Sequence, residues 1–181
     1  NKILTILRYL AEENDIPYSG GEDLFRILHF DFYGIRPLDI AKLSVEASSR
    51  EKGNSLRKVL VEKTGSKPVD LFGRGPDEKL GLFSDMMEGL IADVPNLPLQ
   101  QLFENLITQG GILPYVMKHE MRHYLMKVLT AIFDFIKDET ARNPDLNIHG
   151  LMEMIELMQK ERISLSLVQI RSEEHTSELQ S

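Results

Sequence analysis

Apolar residues recur three and four positions apart through most of this chain, the spacing that lines one face of an α-helix. Ile3, Leu4, Leu7, Leu10 and Ala11 make a first stripe, ended by Asn14-Asp15-Ile16-Pro17. Gly20-Gly21 opens a short segment with Leu24, Phe25 and Leu28 on one face. Pro37 suits a first helical position, where its missing N–H costs nothing. Ile40, Ala41, Leu43, Ser44 and Val45 follow it, and the pattern fades near Lys52-Gly53-Asn54. Ser55 is placed to cap a short helix through Leu56, Val59 and Leu60. From Thr64 to Pro76 the chain is rich in Gly, Lys and Pro without a period, which predicts an exposed loop.

Leu80, Phe83, Met86, Met87, Leu90 and Ile91 form the next stripe, and Pro95 and Pro98 punctuate it. Leu99, Leu102, Phe103, Leu106 and Ile107 follow, stopped by Gly110-Gly111. The longest helix is expected from about His119 to Ala141, with Leu125, Val128, Leu129, Ile132, Phe133 and Ile136 inward, and Asn143-Pro144 breaks it. Leu151, Met154, Ile155 and Met158 make the last stripe. Only residues 163–170 alternate with period two, so they are the one strand expected. A lone strand has nothing to pair with, which implies partners in sequence beyond this chain.

Composition agrees with a globular chain: 181 residues, 42% hydrophobic and 27% charged. No run of eighteen apolar residues occurs, so no membrane span is expected. The opening Asn1-Lys2-Ile3-Leu4 already reads as the inside of a helix, with no initiator Met, so a truncated N-terminus is expected and a signal peptide is not. With no cysteine the chain has no disulfide framework and no thiolate metal site, in keeping with a cytoplasmic protein. The formal charge of −7 predicts no broad basic surface, though a local phosphate site needs none.

The last eleven residues, 171–181, read RSEEHTSELQS and resemble the in-frame translation of a common sequencing-library adapter. On that reading they are a non-native tail, and the natural chain is interrupted after Ile170. The segment holds one Arg against three Glu, a net of −2, so residues 1–170 stand at −5 against −7 for the whole.

Few constellations carry chemistry. His119-Glu120-Met121-Arg122-His123 matches H-E-x-x-H; on a helix the two His would share a face and could ligate zinc, with Glu120 as general base and Glu139 as an imaginable third ligand. Arg122 sits in the gap, where a cation beside a dication is unfavourable. A solvated, polar helix start is the plainer reading. No G-x-x-x-x-G-K-[ST] and no G-x-G-x-x-G occurs, and Gly73-Arg74-Gly75-Pro76 lacks the Lys-Ser/Thr that a phosphate cradle needs. No Ser-His-Asp arrangement is visible. The eight Met residues fall on helical core spacing and are expected to pack rather than line a peptide groove. In Phe32-Tyr33-Gly34-Ile35-Arg36-Pro37-Leu38-Asp39, Gly34 allows close backbone approach, Pro37 starts a helix with free N–H groups, and Arg36 adds a positive charge. Those parts suffice for a single-phosphate site, and equally for an ordinary Gly turn before a helix.

Taken in order, Ile3 to Ala11, then Asn14-Asp15, then Leu24-Phe-Arg-Ile-Leu28, then Gly34 to Asp39, resemble UvrD/Rep-type superfamily 1 DNA helicases where the second motor domain gives way to the inserted helical subdomain called 2B. Gly34 and Ile35 match the first two positions of that family's G-I-G turn, which touches the duplex backbone, and Arg36 stands where the third Gly would be. Leu102 to Ile107, Gly111 to Met117, Val128 to Glu139 and Leu151 to Met158 are similar to a bacterial branch of the same helicases. The resemblance implies a mainly α fold: a helical accessory subdomain over 1–162, inserted in a RecA-like α/β motor domain, with one terminal strand over 163–170 returning to the motor. It also implies that the parent is an ATP-dependent 3′-to-5′ DNA helicase or translocase serving DNA repair or recombination. Its ATP and Mg²⁺ site would lie outside this chain, which itself would hold no catalytic, cofactor-binding or metal residue. The duplex-backbone candidates are Gly34, Ile35 and Arg36. Two alternatives stay open: a zinc metallopeptidase through His119, Glu120 and His123, and a helical protein-interaction module.

Overall fold

The computed structural model describes residues 2–49, 54–65 and 78–161. Among these the chain is helical: α1 (Lys2–Asp15), α2 (Gly21–Leu28), a 3₁₀ turn (Asp31–Tyr33), α3 (Pro37–Ser49), α4 (Leu56–Gly65), α5 (Glu78–Asp93), α6 (Leu99–Gln109), α7 (Ile112–Lys118), α8 (Arg122–Arg142) and α9 (Ile148–Lys160). The expected strand at 163–170, the tail at 171–181 and most of the loop at 64–76 lie outside the described residues. None of the described helices is long and apolar enough to cross a membrane.

Helix α1 sits at the centre. Its Ile6, Leu7 and Leu10 are fully buried, and α2, α5 and α9 pack around it. Each such side chain contributes roughly 1.5–3 kcal/mol by leaving water. Helices α6, α7 and α8 form the other side of the same core, joined to the first through the contact of α5 with α6. The caps follow the residue types: Ser55 Oγ accepts from the Lys58 N–H at 3.2 Å, and Asn147 Oδ1 accepts from the Gly150 N–H at 3.0 Å. Both satisfy donors that a helix start leaves without an internal partner.

The buried stripes differ from the periodic reading in several places. In α2 the inward residues are Leu24, Ile27 and Leu28, while Phe25 is 42% exposed. Val45 of α3 is 68% exposed, because only Ile40 and Leu43 face the core. In α9 Met152 is buried, where Met154 and Met158 were expected, and Met87 of α5 is buried as expected. Helix α7 has no counterpart in the periodic reading; its Pro114 is tolerated because first-turn N–H groups need no helical partner.

One charged cluster is built into this packing. Glu13 of α1, with its side chain out of solvent, accepts from the N–H groups of Tyr18 and Gly20 at 2.7 and 2.9 Å. Arg57 of α4 donates to the same carboxylate at 2.6 Å and grips Glu88 of α5 in a two-point contact at 2.7 and 2.6 Å. The guanidinium also lies 5.0 Å from the Tyr18 ring centroid, and Tyr18 takes a left-handed φ of 72°. A left-handed non-Gly residue costs about 1–2 kcal/mol, which the Tyr18 N–H bond to Glu13 offsets.

Candidate functional site

Gly34 ends the 3₁₀ turn in the left-handed region, at φ 61° and ψ 28°. An L-residue there is strained, so the turn between Tyr33 and Ile35 favours glycine. The flanks fix it in space. Tyr33 is half-buried, donates its hydroxyl to the Gly110 carbonyl at 3.0 Å and lies edge-on to Phe83 with centroids 4.8 Å apart. Burial pushes the Tyr33 phenol well above its ordinary pKa, so it stays a donor. Ile35 is 7% exposed and plugs the core. Of the three candidates it is therefore a packing residue, and any contact with a ligand would come through its backbone.

Arg36 points outward, its side chain 63% exposed, and α3 begins at the next residue. Its carbonyl accepts from the Asp39 and Ile40 N–H groups at 2.9 and 3.3 Å, and Pro37 has no N–H. The expectation of several free amides at this helix start thus narrows to that of Leu38, a residue 62% exposed. Asp39 modifies the electrostatics further. Its carboxylate, 12% exposed, accepts from Arg36 Nε at 2.6 Å. An acid in the first turn favours the positive end of the helix dipole, and here it also occupies part of the cation expected to meet phosphate.

Lys79 of α5 is the residue the sequence reading missed. Its ammonium donates to the Gly34 carbonyl at 3.4 Å, and a Cβ at position 34 would lie 2.9 Å from its Nζ. Gly34 is thus favoured by its φ, while the Lys79 ammonium, at the end of a flexible side chain, can give way to a Cβ. Forty-five positions separate the two residues, and no local pattern could have joined them. Asp39 did carry a signal, since an acid three residues after Arg36 on a helix is a neighbour by geometry.

His119 and His123 do not share a helix. His119 ends α7 with an extended backbone, Glu120 and Met121 form a turn, and His123 is the second residue of α8. The His119 ring accepts from the Met121 N–H at 3.1 Å and packs edge-on to Tyr115 at 5.4 Å. The single helical face that H-E-x-x-H chemistry uses is absent, because α8 starts at Arg122 and not near His119. Glu139 lies about 24 Å further along α8 than His123, at 1.5 Å of rise per residue. It accepts instead from Arg142 at 2.5 Å. Among the described residues no cluster of three or more His, Cys, Asp or Glu is arranged to hold a metal ion.

No protein-family model matches the chain, and no curated protein sequence matches it significantly.

Proposed function

We propose that this chain is the helical, duplex-contacting accessory part of a UvrD/Rep-like ATP-dependent 3′-to-5′ DNA helicase, with Gly34, Ile35 and Arg36 as its backbone contact. The observation that carries the reading is the left-handed turn at Gly34, which hands the chain directly to the start of α3. That order, a short helix, a glycine turn and a helix start, is the order on which the resemblance rests. The turn exposes the Arg36 side chain, and cationic contacts of this kind position a protein on a phosphate backbone without reading sequence. The chain's net charge of −7 confines any attraction to local sites of this kind. ATP hydrolysis belongs to motor segments outside the chain, and the accessory part regulates unwinding by holding the duplex ahead of the motor.

The test is the salt dependence of duplex binding by the full-length protein that the genomic frame encodes. Each phosphate contact contributes about 0.9 to the slope of log affinity against log salt. Arg36→Ala is expected to lower the slope by about one unit and weaken binding on every sequence alike. An unchanged slope removes Arg36 from the interface.

A further inference from the structure

The first residue of α1, Lys2, stands in a second constellation, made with residues around the 3₁₀ turn and α7. The ammonium of Lys2 lies 5.0 Å from the ring centroid of Tyr115, 5.4 Å from that of Phe32 and 5.7 Å from that of Phe30. Asp31 accepts from the same ammonium at 2.5 Å. The three rings come from two distant parts of the chain, the 3₁₀ turn with the residue before it and α7, and they touch: Phe32 packs on Tyr115 at 5.0 Å and on Phe30 at 5.7 Å. All three are half-buried and rest on the core, so the walls are held from behind. Three ring faces within 6 Å of one cation, with a carboxylate bonded to it, is the composition by which proteins recognise alkylated ammonium groups.

We propose that Phe30, Phe32, Tyr115 and Asp31 form an ammonium-binding cage whose resident occupant is this chain's own Lys2, and whose external ligand class is a methylated lysine side chain. Methylation keeps the charge while stripping its hydrogen-bonded water, so a methylated head gains more from ring faces than the strongly hydrated ammonium of Lys2. Lys2 is also 42% exposed in its side chain, so it seals the cage only in part and can be displaced. The cage does not depend on the DNA reading, because none of its four residues belongs to the Arg36 contact.

The experiment uses the whole chain with Lys2→Ala, which empties the cage and leaves its walls intact. Trimethyllysine and unmodified lysine, as blocked single residues, are titrated while aromatic-ring proton shifts of Tyr115 and the phenylalanines are followed by NMR. If Lys2 fills the cage roughly nine-tenths of the time, apparent affinity for trimethyllysine is about tenfold weaker in the native chain than in Lys2→Ala. Tyr115→Ala on the Lys2→Ala background is expected to abolish the shifts, and Tyr115→Phe to keep them. The amide spectrum of each variant reports whether it is folded. Saturable shifts for trimethyllysine that exceed those for lysine support the cage. Folded Lys2→Ala protein that gives no saturable shifts overturns it, and so do equal shifts for both ligands.

Discussion

Arg36 and Asp39 are joined by a 2.6 Å hydrogen bond across the first turn of α3, so the cation offered to a phosphate is already shared with a carboxylate of its own helix. An exposed pair of this kind stabilises by about 0.2–1 kcal/mol. Removing the acid's charge should therefore weaken its hold on the guanidinium. Asp39→Asn is expected to strengthen duplex binding by the full-length protein by up to about fivefold at low salt, measured by fluorescence anisotropy. Weaker binding in that variant would mean that Asp39 orients Arg36 rather than competing for it.

The Glu13–Arg57 contact makes a sharper stability prediction, because Glu13 is inaccessible and Arg57 is only 11% exposed in its side chain. Arg57→Met leaves a buried carboxylate with backbone donors and no cation. Urea unfolding of this chain is expected to show a loss of about 3–5 kcal/mol. Double replacement with Glu13→Gln should recover a large part of that loss, and additive losses would show that the pair is not the source.

Glycine substitutions separate conformation from packing. Gly34→Ala, at φ 61°, is expected to cost about 1–2 kcal/mol in thermal or urea unfolding. Gly81→Ala, inside α5 with open space around the new Cβ, should instead stabilise by about 0.4–1 kcal/mol. The opposite signs are the point of the comparison.

Two phenols report on alkaline pH. Burial is the main cause that raises both Tyr9 and Tyr33 above the ordinary phenol value, with the nearby Glu13 carboxylate adding to Tyr9. Their folded-state pKa exceeds the unfolded one, so their stabilisation is complete below about pH 10 and is lost as pH rises beyond it. Absorbance titration at alkaline pH should show that two of the five tyrosines ionise only together with unfolding. Five independent titrations near the ordinary value would contradict the packing of both.

Where sequence and structure part, the cause is the range of the interaction. Helices α1, α5 and α6 were legible because three turns or more repeat their apolar spacing, and Ser55 was legible as a cap because capping is local. Helix α7 has seven residues and buries only Ile112 and Val116, too few to show a period. In α2, Leu24, Phe25 and Leu28 fit helical spacing as well as Leu24, Ile27 and Leu28 do; the packing of α1, α3 and α4 around α2 leaves Ile27 buried and Phe25 exposed. The Gly34 turn could be read from one glycine before a proline-started helix. The Lys79 contact, the Glu13–Arg57 pair and the rings around Lys2 join residues 28 to 113 positions apart.

The most direct test of the helicase reading is to sequence the genomic locus on both sides of the codons for residues 1–170, in uncontaminated DNA. The account predicts that the frame runs upstream to a G-x-x-x-x-G-K-[ST] loop. It also predicts that the frame passes beyond Ile170 into a second motor segment, with RSEEHTSELQS replaced by native sequence. A gene that starts near Asn1 and stops near Ile170 would contradict it.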